Sequence, residues 1–397
     1  MSKRITIITS AYPPEKGAAP TRVYNLAQTL LRAGNDVSVI TAMPNYPTGK
    51  IFPGYQSKWR MQELADGINV YRTWLYPSNA RNIFKRAASL CTYTTSAGSF
   101  IYSYLKKQKP DIVIINTPPL FSGYISMMLA KRAGCKSILN VSDLWPMSAL
   151  ELGAIKQGTT YNMLEYMERT MYKSAHAIVG QSKEILAHIK QHVPHTRSFL
   201  YYNLQSTRNG ETITEKAEGK RKIVYAGLLG VAQGVFDICQ HVHFAELGVE
   251  FHIYGDGFEK EKIEAFIKSN PDRGVYYHQS IPASEMPAML RQYHATIIPL
   301  KTNIRGALPS KVFMAVANEL PVFFSGSGEG AGLIHMHQLG WVNDPEDYKK
   351  LSANIATFAT LPEAQYNTIL NACRECAQGM FNKTEQDAAF LQFIENI

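Results

Sequence analysis

Short apolar runs rich in β-branched residues alternate with longer segments of helical period along almost the whole chain, and this pattern constrains the fold more than any other feature. Strands separated by helices pair in parallel, because each crossover returns the chain to the same end of the sheet. Ile5 to Thr9 reads as the first strand. Val23, Leu26, Ala27, Leu30 and Leu31 follow at three-to-four spacing, and Gly34 stands where a helix would end. Further strands are expected at Val37 to Thr41, Val70 to Arg72, Ile112 to Ile115, Ser137 to Val141 and Ala177 to Gly180. From Asn203 to Lys220 the chain is polar, with few apolar residues and no aromatic, which marks a domain junction or a loop just after one. A second series is expected near Ile223 to Ala226, Glu250 to Tyr254, Val275 to His278, Thr296 to Leu300 and Pro321 to Phe324. The tail, Asn382 to Ile397, reads as a helix with Phe390, Leu391 and Ile394 on one side. The expected class is α/β, with two doubly wound domains, 1–202 and 203–381, and ligands at the carboxyl ends of the strands in a cleft between the sheets.

A chain of 397 residues is too long for one ordinary core, and with 45% hydrophobic and 18% charged residues it is too apolar to be disordered. The net charge of +9 suits polyanionic partners: phosphorylated substrates, anionic lipid or nucleic acid. No stretch resembles a nucleic-acid module, so nucleic acid is not expected. The five cysteines are scattered, which fits a reducing compartment and a cytoplasmic location. The apolar run after Lys3-Arg4 is too short for a signal peptide and is soon followed by Pro13-Pro14. No segment approaches the roughly 20 apolar residues of a spanning helix. The stretch from Asn82 to Lys107 carries Phe84, Leu90, Tyr93, Phe100 and Tyr104, with Arg81, Lys85 and Arg86 at its start and Lys106, Lys107 and Lys109 at its end. It suits either an anionic lipid surface or internal packing with solvated ends.

The loops after the strands are the candidates for chemistry. Ser10 to Pro20, with Tyr12, Pro13, Pro14 and Gly17, is not Gly-x-Gly-x-x-Gly, so a dinucleotide fingerprint is absent from the first βα turn. Composition alone leaves it as a connection stiffened by prolines or a ligand-facing loop. Ser142-Asp143-Leu144-Trp145-Pro146 brings a carboxylate beside an indole. Asp143 suits orienting a sugar hydroxyl or stabilising positive charge on a sugar ring, or simply capping the next helix. Tyr225-Ala226-Gly227 to Gly230 and Gln233-Gly234 is a strand, a glycine turn and a helix start, which suits backbone donation to phosphate. Gly255-Asp256-Gly257 repeats the design, although its glycines also suit a tight turn. Lys301 ends a strand, Arg305 and Gly306 lie in the following loop, and Pro309-Ser310-Lys311 opens a helix: a plausible diphosphate clamp. Ser325 to Gly332, with Ser327, Gly328, Glu329 and Gly330, reads as a loop that lets a ligand approach its backbone. The spacings His241-x-His243 and His335-x-His337 suit no metal site on a helix, and Cys373-x-x-Cys376 lacks the second pair a zinc site needs. No Asp-x-Asp is present, and metal-independent chemistry is expected.

In their order and spacing, Tyr12-Pro13-Pro14 with Gly17 and Arg22, Ser142 to Pro146, Tyr225 to Gly227 with Gln233-Gly234, Gly255 to Gly257, Pro309 to Lys311, and Leu320-Pro321-Val322 leading into Ser325 to Gly330 carry a resemblance across both domains. The chain resembles the family-4 retaining glycosyltransferases of the GT-B fold, and is similar to bacterial members that build O-antigen and capsular polysaccharide, including those that transfer N-acetyl-L-fucosamine. The resemblance implies two Rossmann-like domains facing across a cleft, the first receiving the acceptor and completed by the helix 382–397, the second holding a UDP-sugar. It implies that Gly17 and its loop face the acceptor and the donor phosphates, that Asp143 approaches the transferred sugar, and that Ser310 and Lys311 meet the diphosphate, with Ser327, Gly328, Glu329 and Gly330 lining the sugar pocket. It further implies attack on the face from which UDP leaves, with the diphosphate oxygen taking the acceptor proton and no protein nucleophile. The implied acceptor is an undecaprenyl-diphosphate-linked saccharide at the inner face of the cytoplasmic membrane.

The chain departs from the family pattern at several positions. Gly306 and Met314 stand where the family commonly has two glutamates, Leu228 and Gln233 where many members have arginine and lysine, and Glu319 where a glycine is usual. Positive charge for a leaving diphosphate then comes from Lys311, Lys301 or Arg305. Besides the transferase, two other readings remain: a UDP-sugar 2-epimerase of the same two-sheet architecture, and a non-catalytic partner of another transferase.

Overall fold

The computed structural model describes residues 2–46, 48–78, 83–205 and 219–397, and the side chains of 83–87 are outside the description. Arg81, the side chains of Phe84, Lys85 and Arg86, and the polar junction over 206–218 therefore lie outside the description. The chain divides into two compact units, Met1–Tyr202 with Asp387–Ile397, and Asn203–Gln386.

The first unit runs β1 (Arg4–Ile8), α1 (Ala18–Arg32), β2 (Asp36–Ala42), β3 (Arg60–Ala65), β4 (Ile68–Thr73), α2 (Ile83–Gln108), β5 (Ile112–Thr117), α3 (Leu120–Ala133), β6 (Lys136–Val141), α4 (Met147–Glu151), α5 (Thr159–Ser174), β7 (Ala177–Gly180), α6 (Lys183–His192) and β8 (Arg197–Leu200). Its eight strands lie in the order β3-β4-β2-β1-β5-β6-β7-β8. All pairs are parallel except β3 with β4. The period of two sorts the strands onto two faces. Ile5, Ile7, Val37, Val39, Ile112 and Ile114 join one apolar cluster, while Ile8, Ile40, Val113 and Ile115 join the other.

The second unit runs β9 (Lys222–Ala226), α7 (Val235–His241), β10 (Glu250–Tyr254), α8 (Lys260–Ser269), β11 (Val275–His278), α9 (Met286–Leu290), β12 (Ala295–Pro299), α10 (Ser310–Ala317), β13 (Val322–Ser325), α11 (Gly328–Met336), β14 (Gly340–Asn343), α12 (Tyr348–Ala359) and α13 (Glu363–Gln378). Its six strands are all parallel, in the order β11-β10-β9-β12-β13-β14. The last helix, α14 (Lys383–Glu395), begins in the second unit, and from Asp387 onward it belongs to the first. There the Asp387 carboxylate accepts from Tyr201 Oη at 2.7 Å and Thr29 Oγ1 at 3.0 Å, and Phe390 packs 4.6 Å from the Tyr201 ring.

In each sheet the strand order reverses direction at one place, between β1 and β5 in the first and between β9 and β12 in the second. Successive crossovers depart to opposite sides there, so the loops at the carboxyl ends diverge and leave a crevice. The strands that the periodicity does not show are β3, β8 and β14. All three lie at sheet edges, where an apolar run on both faces is not required.

Candidate functional site

In the first unit the crevice is bounded by the loop after β1, which buried polar groups hold from behind. Tyr93 Oη donates to the Thr9 carbonyl at 2.5 Å, and Arg72, itself buried, donates to the carbonyls of Pro13 and Ala42 while pairing with Glu63 at 2.6 Å. Glu15 Oε1 accepts from the amides of Asn45 at 2.8 Å and Tyr46 at 2.9 Å. Burial raises the Glu15 pKa, and these amide bonds oppose the rise. A loop tied at so many points keeps its shape without help from a ligand. Gly17, at φ 135°, leads into α1 and brings no side chain of its own to that helix's first amides.

Asp143 follows β6, and its Oδ2 accepts from Ser148 Oγ at 3.1 Å. The capping alternative does not hold, since α4 starts after Pro146. Burial raises the Asp143 pKa, opposed by the bonds from Ser148 and the Leu144 amide and by the charge of Arg22. Arg22 is the complementary case: burial lowers its pKa to about 10, and Asp143 acts to raise it. Neither charge is saturated. Asp143 Oδ1, Arg22 Nε, Asn140 Oδ1 and Gln181 Nε2 are buried with no hydrogen-bond partner among the described residues. Such orphaned groups are costly unless a ligand or ordered water meets them. The arrangement can therefore receive hydroxyl groups that both donate and accept.

In the second unit the loops after β9 and β10 cross closely. The Gly227 amide donates to the Tyr254 carbonyl at 2.9 Å and the Leu229 amide to the Asp256 carbonyl at 2.9 Å. A Cβ on Gly255 would fall 2.0 Å from the Gly227 carbonyl oxygen, and one on Gly257 would fall 2.6 Å from that of Leu229. Gly255 and Gly257 thus serve this crossing, and the Gly227 amide, read from the sequence as a phosphate donor, is already spent. The Asp256 carboxylate accepts from the Gly257 amide at 2.8 Å. Gly230 faces Gln233, whose Oε1 would meet a Cβ there at 2.7 Å.

Lys311 is the second residue of α10. Its Nζ lies 4.0 Å from the centre of the Tyr225 ring and donates to Tyr225 Oη at 2.8 Å. A Cβ on Gly227, which has φ 145°, would stand 2.6 Å from both Cε and Nζ, so only glycine leaves room for the ammonium. Burial, with no carboxylate to offset it, pulls the Lys311 pKa down to about 7. Beside it lies a cavity of about 10 Å³, lined in part by Met314, with room for a single water.

The other cations of the expected clamp are placed differently. Lys301 Nζ pairs with Asp237 at 2.6 Å and Glu346 at 3.4 Å, so its charge is already met within the protein. Arg305 is exposed, Gly306 is buried, and Ser310 starts α10 without capping it. The stretch Ser325 to Gly332, expected as a loop, is mostly helix: α11 begins at Gly328, directly after Ser327, with Glu329 in its first turn. Gly326 and Gly330 lie against the Phe324 ring, at 2.9 and 2.6 Å from where a Cβ would be, so close packing accounts for them. The Ser327 amide donates to Asn303 Oδ1 at 2.9 Å, tying this segment to the loop that carries Arg305. Glu319 has φ 51° and pairs with Arg374 at 2.6 Å, which explains why a glycine is natural there and what holds a glutamate instead. Among the described residues, no group of three or more His, Cys, Asp or Glu could hold a metal, and Cys373 and Cys376 are both buried. The sequence gives no role to Tyr225, which it shows only within the Tyr225-Ala226-Gly227 turn, nor to Asn140 or Gln181. Their only signal is a polar residue at or near the carboxyl end of a strand.

Residues 17–200 match the glycosyl transferase 4-like domain and residues 208–374 match the glycosyl transferases group 1 family. A putative colanic acid biosynthesis glycosyl transferase of Escherichia coli, WcaI, is 23% identical over 414 residues, covering 99% of each chain. Among solved structures, the apo form of the lipopolysaccharide outer core galactosyltransferase WaaB matches with a TM-score of 0.64 at 16% identity, over 99% of each chain. HepE from Anabaena, in complex with UDP and glucose, matches with a TM-score of 0.68 at 10% identity, over 100% of each chain.

Proposed function

The chain belongs to the GT-B glycosyltransferases, with a glycosyl transferase 4-like domain followed by a group 1 domain, and on that premise we propose that it moves a sugar from a UDP-sugar to a lipid-linked saccharide in the assembly of a bacterial surface polysaccharide. The observation that carries the donor half is Lys311, whose ammonium is withdrawn over Tyr225 and faces the Gly227 turn. A diphosphate that meets it gains a charge-assisted bond in a poorly solvated setting, where such a bond is worth most. Colanic acid in the name of WcaI, lipopolysaccharide in that of WaaB, and UDP in the HepE complex support the polysaccharide and the nucleotide.

In this reading the second unit holds the UDP moiety and neutralises it as it leaves. Transfer is retaining and metal-independent, and the departing diphosphate oxygen takes the acceptor's proton. In the first unit, Asp143 and Arg22 orient sugar hydroxyls through their unpartnered atoms. The acceptor is held at a membrane surface. No helix among the described residues is long and apolar enough to cross a membrane.

The test is thermal shift or calorimetry with UDP, GDP, dTDP, CMP and NAD, each with magnesium or EDTA, followed by UDP-sugar turnover with and without lipid-linked acceptor. Selective, EDTA-resistant binding of UDP with acceptor-dependent turnover is expected. Donor conversion without acceptor would instead indicate an epimerase, and no nucleotide binding would indicate a non-catalytic partner.

A further inference from the structure

Tyr225 lies at the carboxyl end of β9 and is fully buried. Its hydroxyl accepts from Lys311 Nζ at 2.8 Å and donates to the Leu228 carbonyl at 2.5 Å. A single oxygen thus fixes two things: where the ammonium sits, and how the turn beginning at Gly227 is oriented. The ring beneath the ammonium adds a cation–π contact at 4.0 Å. An ammonium has three donors, and Tyr225 takes one. Because Nζ stands 2.6 Å from where a Cβ on Gly227 would be, a ligand that reaches this turn also reaches the charge.

From this geometry we infer that Tyr225 is a positioning residue for anion binding, holding the Lys311 ammonium and the turn that carries the Leu228 amide in a fixed relation so that both meet the same diphosphate. The inference rests on the transferase reading only for the identity of the anion. Of the titratable groups around Lys311, Tyr225 alone bonds it among the described residues. Glu259, which acts electrostatically on Tyr225, accepts from the Phe236 amide at 3.2 Å, and at the far end of α10 Glu319 and Arg374 hold each other. No carboxylate therefore competes for the role. Burial also raises the Tyr225 pKa, so its hydroxyl stays protonated and keeps donating to Leu228 at any working pH.

The test is Tyr225→Phe in the full chain, which keeps the ring and removes the oxygen. Two quantities are read: the titration midpoint of Lys311, followed by NMR of reductively ¹³C-methylated protein with Lys311→Met to assign the signal, and the affinities for UDP and inorganic pyrophosphate against pH. Losing an acceptor disfavours the charged lysine, so the midpoint is expected to move down by about half a unit or more, and both anions to weaken by about 5-fold at pH 7.5. On a Lys311→Met background the same change should cost clearly less, only the share that comes from freeing the Leu228 carbonyl. An unmoved midpoint with unchanged affinities overturns the inference and leaves the transferase reading standing, as does an equal loss on the Lys311→Met background. Pyrophosphate binding without UDP binding sinks the nucleotide-sugar reading and keeps the inference.

Discussion

UDP should bind more weakly as pH rises above 7, because the cation that receives the diphosphate loses its charge there. Burial holds the Lys311 pKa at about 7, against 10.5 for a solvated lysine. The free site is thus charged below that value and neutral above it, while a bound diphosphate favours the ammonium and raises the pKa in the complex. Affinity then follows the charged fraction of the free protein. Between pH 7 and 8.5 it should fall about 16-fold, or about 1.6 kcal/mol, approaching the limit of tenfold per pH unit set by one proton. Binding should take up about 0.5 proton at pH 7 and about 1 at pH 8.5. Folding has the opposite linkage: the unfolded chain binds more protons between about pH 7 and 10.5, so the cost of burying this lysine is present below the window and relieved as pH rises through it. The assay is isothermal titration calorimetry from pH 6.5 to 8.5 at constant ionic strength, in paired buffers of different ionisation enthalpy, with Lys311→Met as reference. A dissociation constant that stays within 2-fold across this range, with no buffer-dependent enthalpy, would refute the reasoning.

Asp143→Asn keeps the shape but removes the charge that Arg22 faces. Transfer is expected to fall by about 100-fold while UDP affinity stays within about 2-fold, and wild-type turnover in a donor-consumption assay would remove Asp143 from the chemistry. At position 319 the backbone strain and the ion pair are separable. Glu319→Ala loses the bond to Arg374 and keeps φ 51°, whereas Glu319→Gly loses the bond and relieves the strain, so the glycine variant should be the more stable of the two by about 1 kcal/mol in urea unfolding. Equal midpoints would mean the left-handed backbone costs nothing here.

What the sequence determined by itself was the alternation of strand and helix and, through it, the parallel sheets. Ile5 and Ile7 against Ile8, or Val37 and Val39 against Ile40, divide between two faces because the strand period is two and both faces are covered. It also located the loops that bear chemistry, because they follow strands. The roles within those loops depended on tertiary structure. Gly255 and Gly257 look like ligand glycines in one dimension, and only the crossing of two loops shows that they admit a backbone. Lys301 and Lys311 are both cations near a strand end or helix start, yet Asp237 and Glu346 meet the first while burial over Tyr225 isolates the second. Ser327 to Gly330 read as loop because glycine is a poor helix former, but packing of Gly330 on Phe324 outweighs that local preference. Such distinctions rest on which neighbours share a charge or a volume. Most of those neighbours stand tens of residues away, 86 in the case of Tyr225 and Lys311, and local pattern carries no information about them.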